Sequence, residues 1–140
     1  MIHLQKLPYP PSSNAQYISR GRFRVKSPIR RAFDDDIEAW TWSNRSLFLA
    51  ASRALKEHPF WCGVFEFAAP RETYLTKVGL PKRFDVDNRI KALDSLWSCL
   101  EFDDSKFWEI RAVKKLAPTR YVNISLFPLD IETKPILESP

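Results

Sequence analysis

The sequence predicts an α/β (α+β) domain, a small mixed β-sheet packed with two main helices. Three features point there. Short β-branched and aromatic runs sit near both ends and in the middle of the chain, two longer stretches carry apolar residues at helical spacing, and Pro- or Gly-containing segments separate them. With 44% hydrophobic and 14% aromatic residues, the 140-residue chain has the composition of a domain with a packed core, not of a disordered chain.

The elements follow in order. Ile2 to Leu7 reads as a strand, stopped by Pro8-Tyr9-Pro10-Pro11-Ser12-Ser13-Asn14, which cannot continue a ladder. Arg20-Gly21-Arg22-Phe23-Arg24-Val25-Lys26 reads as a turn leading into a basic strand or hairpin arm with its cations on one face. A helix is expected from about Asp36 to His58. Asp34, Asp35, Asp36 and Glu38 suit its positive end, Ile37, Trp40, Leu47, Ala51 and Leu55 form its apolar face, and Pro59 ends it. Trp61 to Ala68 is a strand closed by Pro70, and Arg71 to Phe84 is a basic loop containing Gly79 and Pro81. A second helix is expected from about Asp87 to Leu100, with Ile90, Leu93, Leu96, Trp97 and Leu100 facing the core. Two strands, about Trp108 to Lys115 and Arg120 to Phe127, are expected to form a hairpin across Ala117-Pro118-Thr119. Residues 1–127 make one domain, and 128–140 a flexible acidic C-terminal tail with Asp130, Glu132 and Glu138 against Lys134.

The net charge of +5, with the acids of the tail set aside, leaves a basic body suited to a polyanionic partner such as nucleic acid. Cys62 and Cys99 lie in apolar stretches and read as buried thiols of a reducing compartment. No apolar run is long enough to span a membrane, and the N-terminus lacks a signal-peptide core, so a cytoplasmic protein with no membrane partner is expected.

Chemistry concentrates in Asp85-Val86-Asp87-Asn88 at the start of the second helix. At about 100° per residue, Asp87, Lys91 and Asp94 fall within roughly 40° of one another, away from the apolar face. Phe102-Asp103-Asp104 follows the helix, and a chain returning along the sheet can bring one of these acids back. Three carboxylates and a lysine form a workable set for phosphodiester hydrolysis: the carboxylates hold Mg²⁺, which polarises the phosphate and activates water, and the lysine meets the developing charge. The same residues also fit a structural account in which Asp87 or Asn88 caps the helix, Lys91 pairs with Asp87 and Asp103-Asp104 is a turn. A Ca²⁺ loop starting at Asp85 is excluded, because its sixth position is Ile90 and its twelfth Leu96. There is no Walker A loop, GxGxxG, CxxC or HExxH, and the only histidines are His3 and His58.

Several blocks together resemble the RusA-type Holliday junction resolvases, small endodeoxyribonucleases of bacteria and phages. Leu7-Pro8-Tyr9-Pro10-Pro11-Ser12-Ser13-Asn14 is similar to the family's Pro-Pro-Ser-Asn signature, with Arg20-Gly21-Arg22 following. Glu66 with Pro70 resembles the end of its central strand. Asp85-Val86-Asp87-Asn88-Arg89-Ile90-Lys91 matches its Asp-x-Asp-Asn-x-x-Lys motif, continued by Asp94-Ser95-Leu96, Asp103-Asp104 and Arg111-Ala112-Val113-Lys114. The resemblance covers about residues 5–116; the loop between Pro70 and Asp85 is longer than usual and Phe84 replaces an expected basic residue.

The resemblance implies a nuclease domain with Asp85, Asp87 and Asp104 as Mg²⁺ ligands (Mn²⁺ a substitute) and Lys91 as the catalytic lysine. It also implies a homodimer that makes paired cuts in four-way junctions and related branched DNA during recombination and repair. Asn14, Arg20, Arg22, Lys82, Arg83 and Lys114, with Arg24 and Lys26, are the candidate DNA contacts. Asp94 is a candidate partner of Lys91, and Glu66 faces either the acids or solvent. A catalytically inactive structure-specific DNA-binding protein, or a nuclease for other branched DNA, fits the same residues.

Overall fold

Nine residues of almost unbroken apolar character, Trp61–Ala69, form the strand around which the sheet is ordered. The chain runs β1 (Ile2–Leu7), β2 (Tyr17–Arg20), β3 (Phe23–Lys26), α1 (Pro28–Ser43), α2 (Arg45–Glu57), β4 (Trp61–Ala69), α3 (Arg71–Tyr74), α4 (Val86–Lys91), α5 (Asp94–Leu100), a 3-10 turn (Asp104–Lys106), β5 (Phe107–Leu116) and β6 (Tyr121–Pro128). The structure, a computed structural model, describes residues 1–12, 15–82 and 86–130, with the main chain alone at 86–88. It is the expected mixed α+β arrangement: a four-stranded sheet in the order β1-β6-β4-β5, a separate β2-β3 sheet, and helices packed on the larger sheet.

In β4, Phe65 and Phe67 point to the core, where they meet Trp97 and Tyr9, so Glu66 between them lies on the opposite face. There Glu66 accepts from Asn123 at 3.2 Å and pairs with Lys115 at 3.4 Å, turned away from the acids of the helix region. Val122, Ile124 and Leu126 of β6 and Leu4 and Leu7 of β1 complete the buried floor.

The expected hairpin of the last two strands is not formed. Strand β5 pairs parallel to β4 on one side, and β6 pairs antiparallel to β4 on the other. A strand buried on both faces cannot leave an edge of N–H and C=O groups unpaired, so β4 takes a partner on each side. The link at 117–120 crosses its end, with the Ala117 N–H donating to the Ala69 carbonyl at 2.9 Å. Two strand spacings, roughly 10 Å, are within reach of four residues.

The first expected helix starts earlier and is two helices. Ser27 caps α1 by accepting from the Arg30 N–H, Pro28 occupies the first turn, and Asn44 breaks the chain before α2. This local signal places Asp34, Asp35 and Asp36 inside α1 instead of at its positive end. The second helix is also divided: α4 and α5 are joined through buried Ala92 and Leu93, and α5 closes on Glu101 in the left-handed conformation, φ 54°. The expected loop from Arg71 contains α3 and a turn through Gly79, tied by a bridge between Leu75 and Pro81. Cys62 is buried, whereas Cys99 is exposed, because it falls on the outer side of α5 beside core-facing Leu96, Trp97 and Leu100. Residues 131–140 of the expected tail lie outside the described residues. No helix among the described residues is long and apolar enough to cross a membrane.

The first strand-to-strand step of β4 and β5 is irregular, between Trp61 and Cys62, and just after it Gly63 packs closely against the Phe107 ring. A Cβ at Gly63 would stand 2.8 Å from the Phe107 ring and 2.8 Å from the Phe65 ring. Gly63→Ala is therefore expected to cost about 1–3 kcal/mol of stability through overpacking, read as a lower urea midpoint. An unchanged midpoint would mean that Phe107 gives way freely.

Candidate active site

Because β4 and β5 are parallel, the chain between them must cross the sheet, and it does so with α3, α4, α5 and the 3-10 turn. A groove of about 400 Å³ opens between this crossover and the core-facing side of β5. Its polar rim is Lys91 at the end of α4, Asp94 at the start of α5 and Asp104 in the 3-10 turn, while Trp97, Phe107 and Ile110 line its apolar wall. Lys91, Asp94 and Asp104 are thus brought together from three elements. An adjoining recess of about 430 Å³ continues past Asp104 to Asp103, Glu101 and Phe102.

The two neighbouring aspartates have different work. Asp103 caps the 3-10 turn by accepting from the Ser105 N–H at 2.9 Å, and that hydrogen bond holds its carboxyl below the ordinary carboxylate value. Asp104 makes no ion pair among the described residues and faces the groove. Lys91 is exposed at the rim. Asp85 lies outside the described residues, and Asp87 stands on α4 with its side chain outside them, so their part in the acidic set is not fixed by this geometry. Among the described residues no group of three or more His, Cys, Asp or Glu converges as a metal site.

Asp94 pairs with Arg30, and this guanidinium is a residue the sequence reading did not single out. Arg30 is 1% exposed; its Nε donates to Asp34 at 2.9 Å, its Nη1 to Gln16 at 2.7 Å, and its Nη2 to Asp94. One side chain therefore joins α1, the approach to β2, and α5 at the groove. The Arg30–Asp34 spacing of four residues was the available signal, hidden by starting the helix near Asp36.

The N-terminal loop reaches the same region. Arg89 of α4 donates to the Pro10 carbonyl at 2.5 Å and lies over the Tyr9 ring at 5.7 Å. The Tyr9 and Tyr74 hydroxyls are 2.8 Å apart, and Tyr74 donates to the Phe67 carbonyl at 2.7 Å. Two sequence blocks separated by the whole of α1, α2 and β4 are thus in contact. Around Tyr74 gather Lys82, whose N–H donates to the Tyr74 carbonyl, Lys114, 5.8 Å over its ring, and Arg120, which donates to Thr73 at 3.2 Å. Arg120 was also missed, since a single basic residue after a Pro-Thr turn carries no pattern.

Lys114 follows Ile110 and Ala112 along the groove-facing side of β5, so the basic cluster prolongs the groove. Of the other candidate DNA contacts, Arg20, Arg22 and Arg24 are exposed on the β2-β3 hairpin, and Lys26 is held by Asp34 at 2.8 Å. They do not all share one face: Arg24 and Lys26 lie together, while Arg20 pairs with Phe23 and points to the other side. Asn14 and Arg83 lie outside the described residues.

Removing the buried fork should be costly: Arg30→Ala is expected to lose about 3 kcal/mol, and Arg30→Lys to recover only a minor part, because one ammonium cannot reach three acceptors. Chemical denaturation reads both, and an Arg30→Lys protein as stable as the parent would contradict the bridging role. Burial pushes the Asp34 carboxyl up, but hydrogen bonds from Lys26 and Arg30 outweigh it and hold the group below 3.8. A depressed carboxyl stabilises the fold above its unfolded value and loses that contribution as pH falls through the folded one. Melting temperature should therefore fall below pH 3.8, and Asp34→Asn should flatten that acid limb. No family model and no curated protein matches the sequence.

Proposed function

We propose that the chain is a Mg²⁺-dependent endonuclease of the RusA type that cuts four-way junctions and related branched DNA, acting as a homodimer in the cytoplasm of a bacterial or phage-infected cell. The observation that carries this reading is the meeting of Lys91 and Asp104 at one groove, beside the helix that bears Asp87. Nothing local in the sequence requires residues on α4 and in the 3-10 turn to share a cavity, and the chemistry of phosphodiester hydrolysis does.

The donor set suits a hard divalent cation. Asp104 offers a carboxylate that no lysine or arginine among the described residues neutralises, whereas Asp103 is committed to its cap. Asp85, Asp87 and Asp104 would hold the ion. Mg²⁺, when bound, supplies Lewis-acid polarisation of the scissile phosphate and lowers the pKa of water. Lys91 places its ammonium at the rim, where it offsets negative charge growing on the phosphate oxygens. Trp97, Phe107 and Ile110 keep one wall of the groove apolar, which strengthens each of these interactions by lowering the local dielectric. Lys114, Lys82 and Arg120, outside the groove, are placed to hold the flanking backbone.

Incubating the purified chain with a synthetic four-way junction in Mg²⁺, and separately in EDTA, tests the reading. Incision in Mg²⁺ alone is expected. Asp104→Asn and Asp87→Asn should abolish it while leaving junction affinity near that of the parent; Lys91→Ala should slow it by about 10²–10³; and Asp103→Asn should keep most of it. Lys114→Ala should weaken binding to any DNA and reduce the salt slope by about one. Absence of Mg²⁺-dependent incision would sink the nuclease reading, and retained junction binding would then leave a structure-specific binding protein.

A further inference from the structure

The β2-β3 hairpin pairs with no other strand of the described chain. A lone two-stranded ribbon is marginal by itself, so its base must hold it. The Ser27 N–H donates to the Gln16 carbonyl at 2.9 Å, the Ser27 hydroxyl donates to the Ala15 carbonyl, and Lys26 pairs with Asp34. Arg30 then binds the Gln16 side chain and Asp94 together, so one guanidinium sets the hairpin relative to the groove.

At the other end, Gly21 and Arg22 turn the chain with positive φ at Gly21, 60°, and a Cβ there would meet nothing within 4 Å: the tip is in open space. Beside the turn Phe23 is 72% exposed, and Ile18 on the same face is 39% exposed. Arg20, Arg22, Arg24 and Lys26 give the ribbon four cations, and no acid lies between Tyr17 and Lys26. A single exposed Phe is ordinary on a protein surface. An exposed ring at the tip of a projecting arm, with an arginine on either side of it in sequence and a third across the turn, is a different pattern.

We propose that this hairpin is a wedge for nucleic acid that has an opening in its stack: the arginines hold phosphates around the opening, and Phe23 stacks on an exposed base. The choice of branched DNA over other opened nucleic acid rests on the nuclease reading above. Charge commits the occupant. Two hairpins of this composition repel, which disfavours a second copy, while a polyanion with accessible ring faces satisfies both the cations and the phenyl ring.

The full chain, in EDTA to prevent incision, is mixed with a four-way junction carrying 2-aminopurine at the branch point, and separately with the matched linear duplex. Binding is followed by anisotropy and unstacking by 2-aminopurine fluorescence. The expected result is a fluorescence rise with the junction only, abolished in Phe23→Ala and kept in Phe23→Trp. Junction affinity should fall roughly ten-fold in Phe23→Ala with duplex affinity unchanged.

An unchanged rise and affinity in Phe23→Ala would overturn the proposal, as would an equal loss of affinity for junction and duplex. Vesicles of phosphatidylcholine and phosphatidylserine that bind in a Phe23-dependent way, with no 2-aminopurine signal, would overturn it in favour of a membrane surface. The incision assay run beside it separates the two readings. A Phe23-dependent signal on a junction that is never cut retains the wedge and removes the nuclease; Mg²⁺-dependent cutting without that signal does the opposite.

Discussion

The parallel pairing of β4 with β5 is the constraint from which the rest of the molecule follows. Parallel neighbours cannot be joined by a tight turn, so the chain leaving Ala69 has to travel the length of the sheet before Phe107 can begin. That return path carries α3, α4, α5 and the 3-10 turn, and it delivers Asp104 immediately before β5. A carboxylate following α5 and a lysine ending α4 then meet because both belong to one crossover over one strand. The aromatic packing fixes the spacing: Trp97 of α5 stands 5.2 Å from Phe107 and 5.6 Å from Phe102. Each contact with β5 is also a contact with the wall of the groove.

A second constraint is electrostatic. Burying a guanidinium is expensive unless every donor direction is answered, and Arg30 is answered by Asp34, Gln16 and Asp94. The arrangement adds little net stability beyond what an apolar side chain could contribute, but it ties three segments in one geometry. It also removes Asp94 from the set of acids open to a cation, leaving Asp104 as the described carboxylate on the groove rim without a cationic partner.

How much was legible in the sequence depends on how local the deciding interaction was. β1 and β4 were readable to within a residue, because Pro8 and Pro70 stop strands whatever else the chain does. The hairpin arm was readable from Gly21. The placing of β5 and β6 on opposite sides of β4 was not, since it is decided by the unpaired edges of a strand far earlier in the chain. Helical phase suggested that Asp87, Lys91 and Asp94 share a stripe; the break at Ala92 and Leu93 removes the continuous helix that argument needed. Lys91 and Asp94 still share the groove, for the tertiary reason that both flank a turn buried against the sheet. Arg120 was invisible because its partner Thr73 is distant in sequence, and Arg30 because its near partner, Asp34, was set outside the helix while Gln16 and Asp94 lie on other elements.

The distribution of charge along β5 joins these points. At the α5 end the groove is bordered by Asp94, Asp104, Asp103 and Glu101, and toward Leu116 it gives way to Lys114 with Lys82 and Arg120 near Tyr74. Two like unit charges 4 Å apart repel by about 4 kcal/mol at an effective dielectric near a protein surface. Arg30 answers Asp94, Lys56 answers Glu101 and Lys91 stands on the same rim, so it is Asp104 and Asp103, which make no ion pair among the described residues, that a phosphate would meet there. The basic end has no such barrier. On the nuclease reading proposed above, a polyanion would be gripped at the basic end and brought against Asp104 once a divalent ion had changed the sign of the local field. Holding and cutting would then be separable: the lysines and arginines would govern affinity and its salt dependence, and the carboxylates whether the held strand is cut.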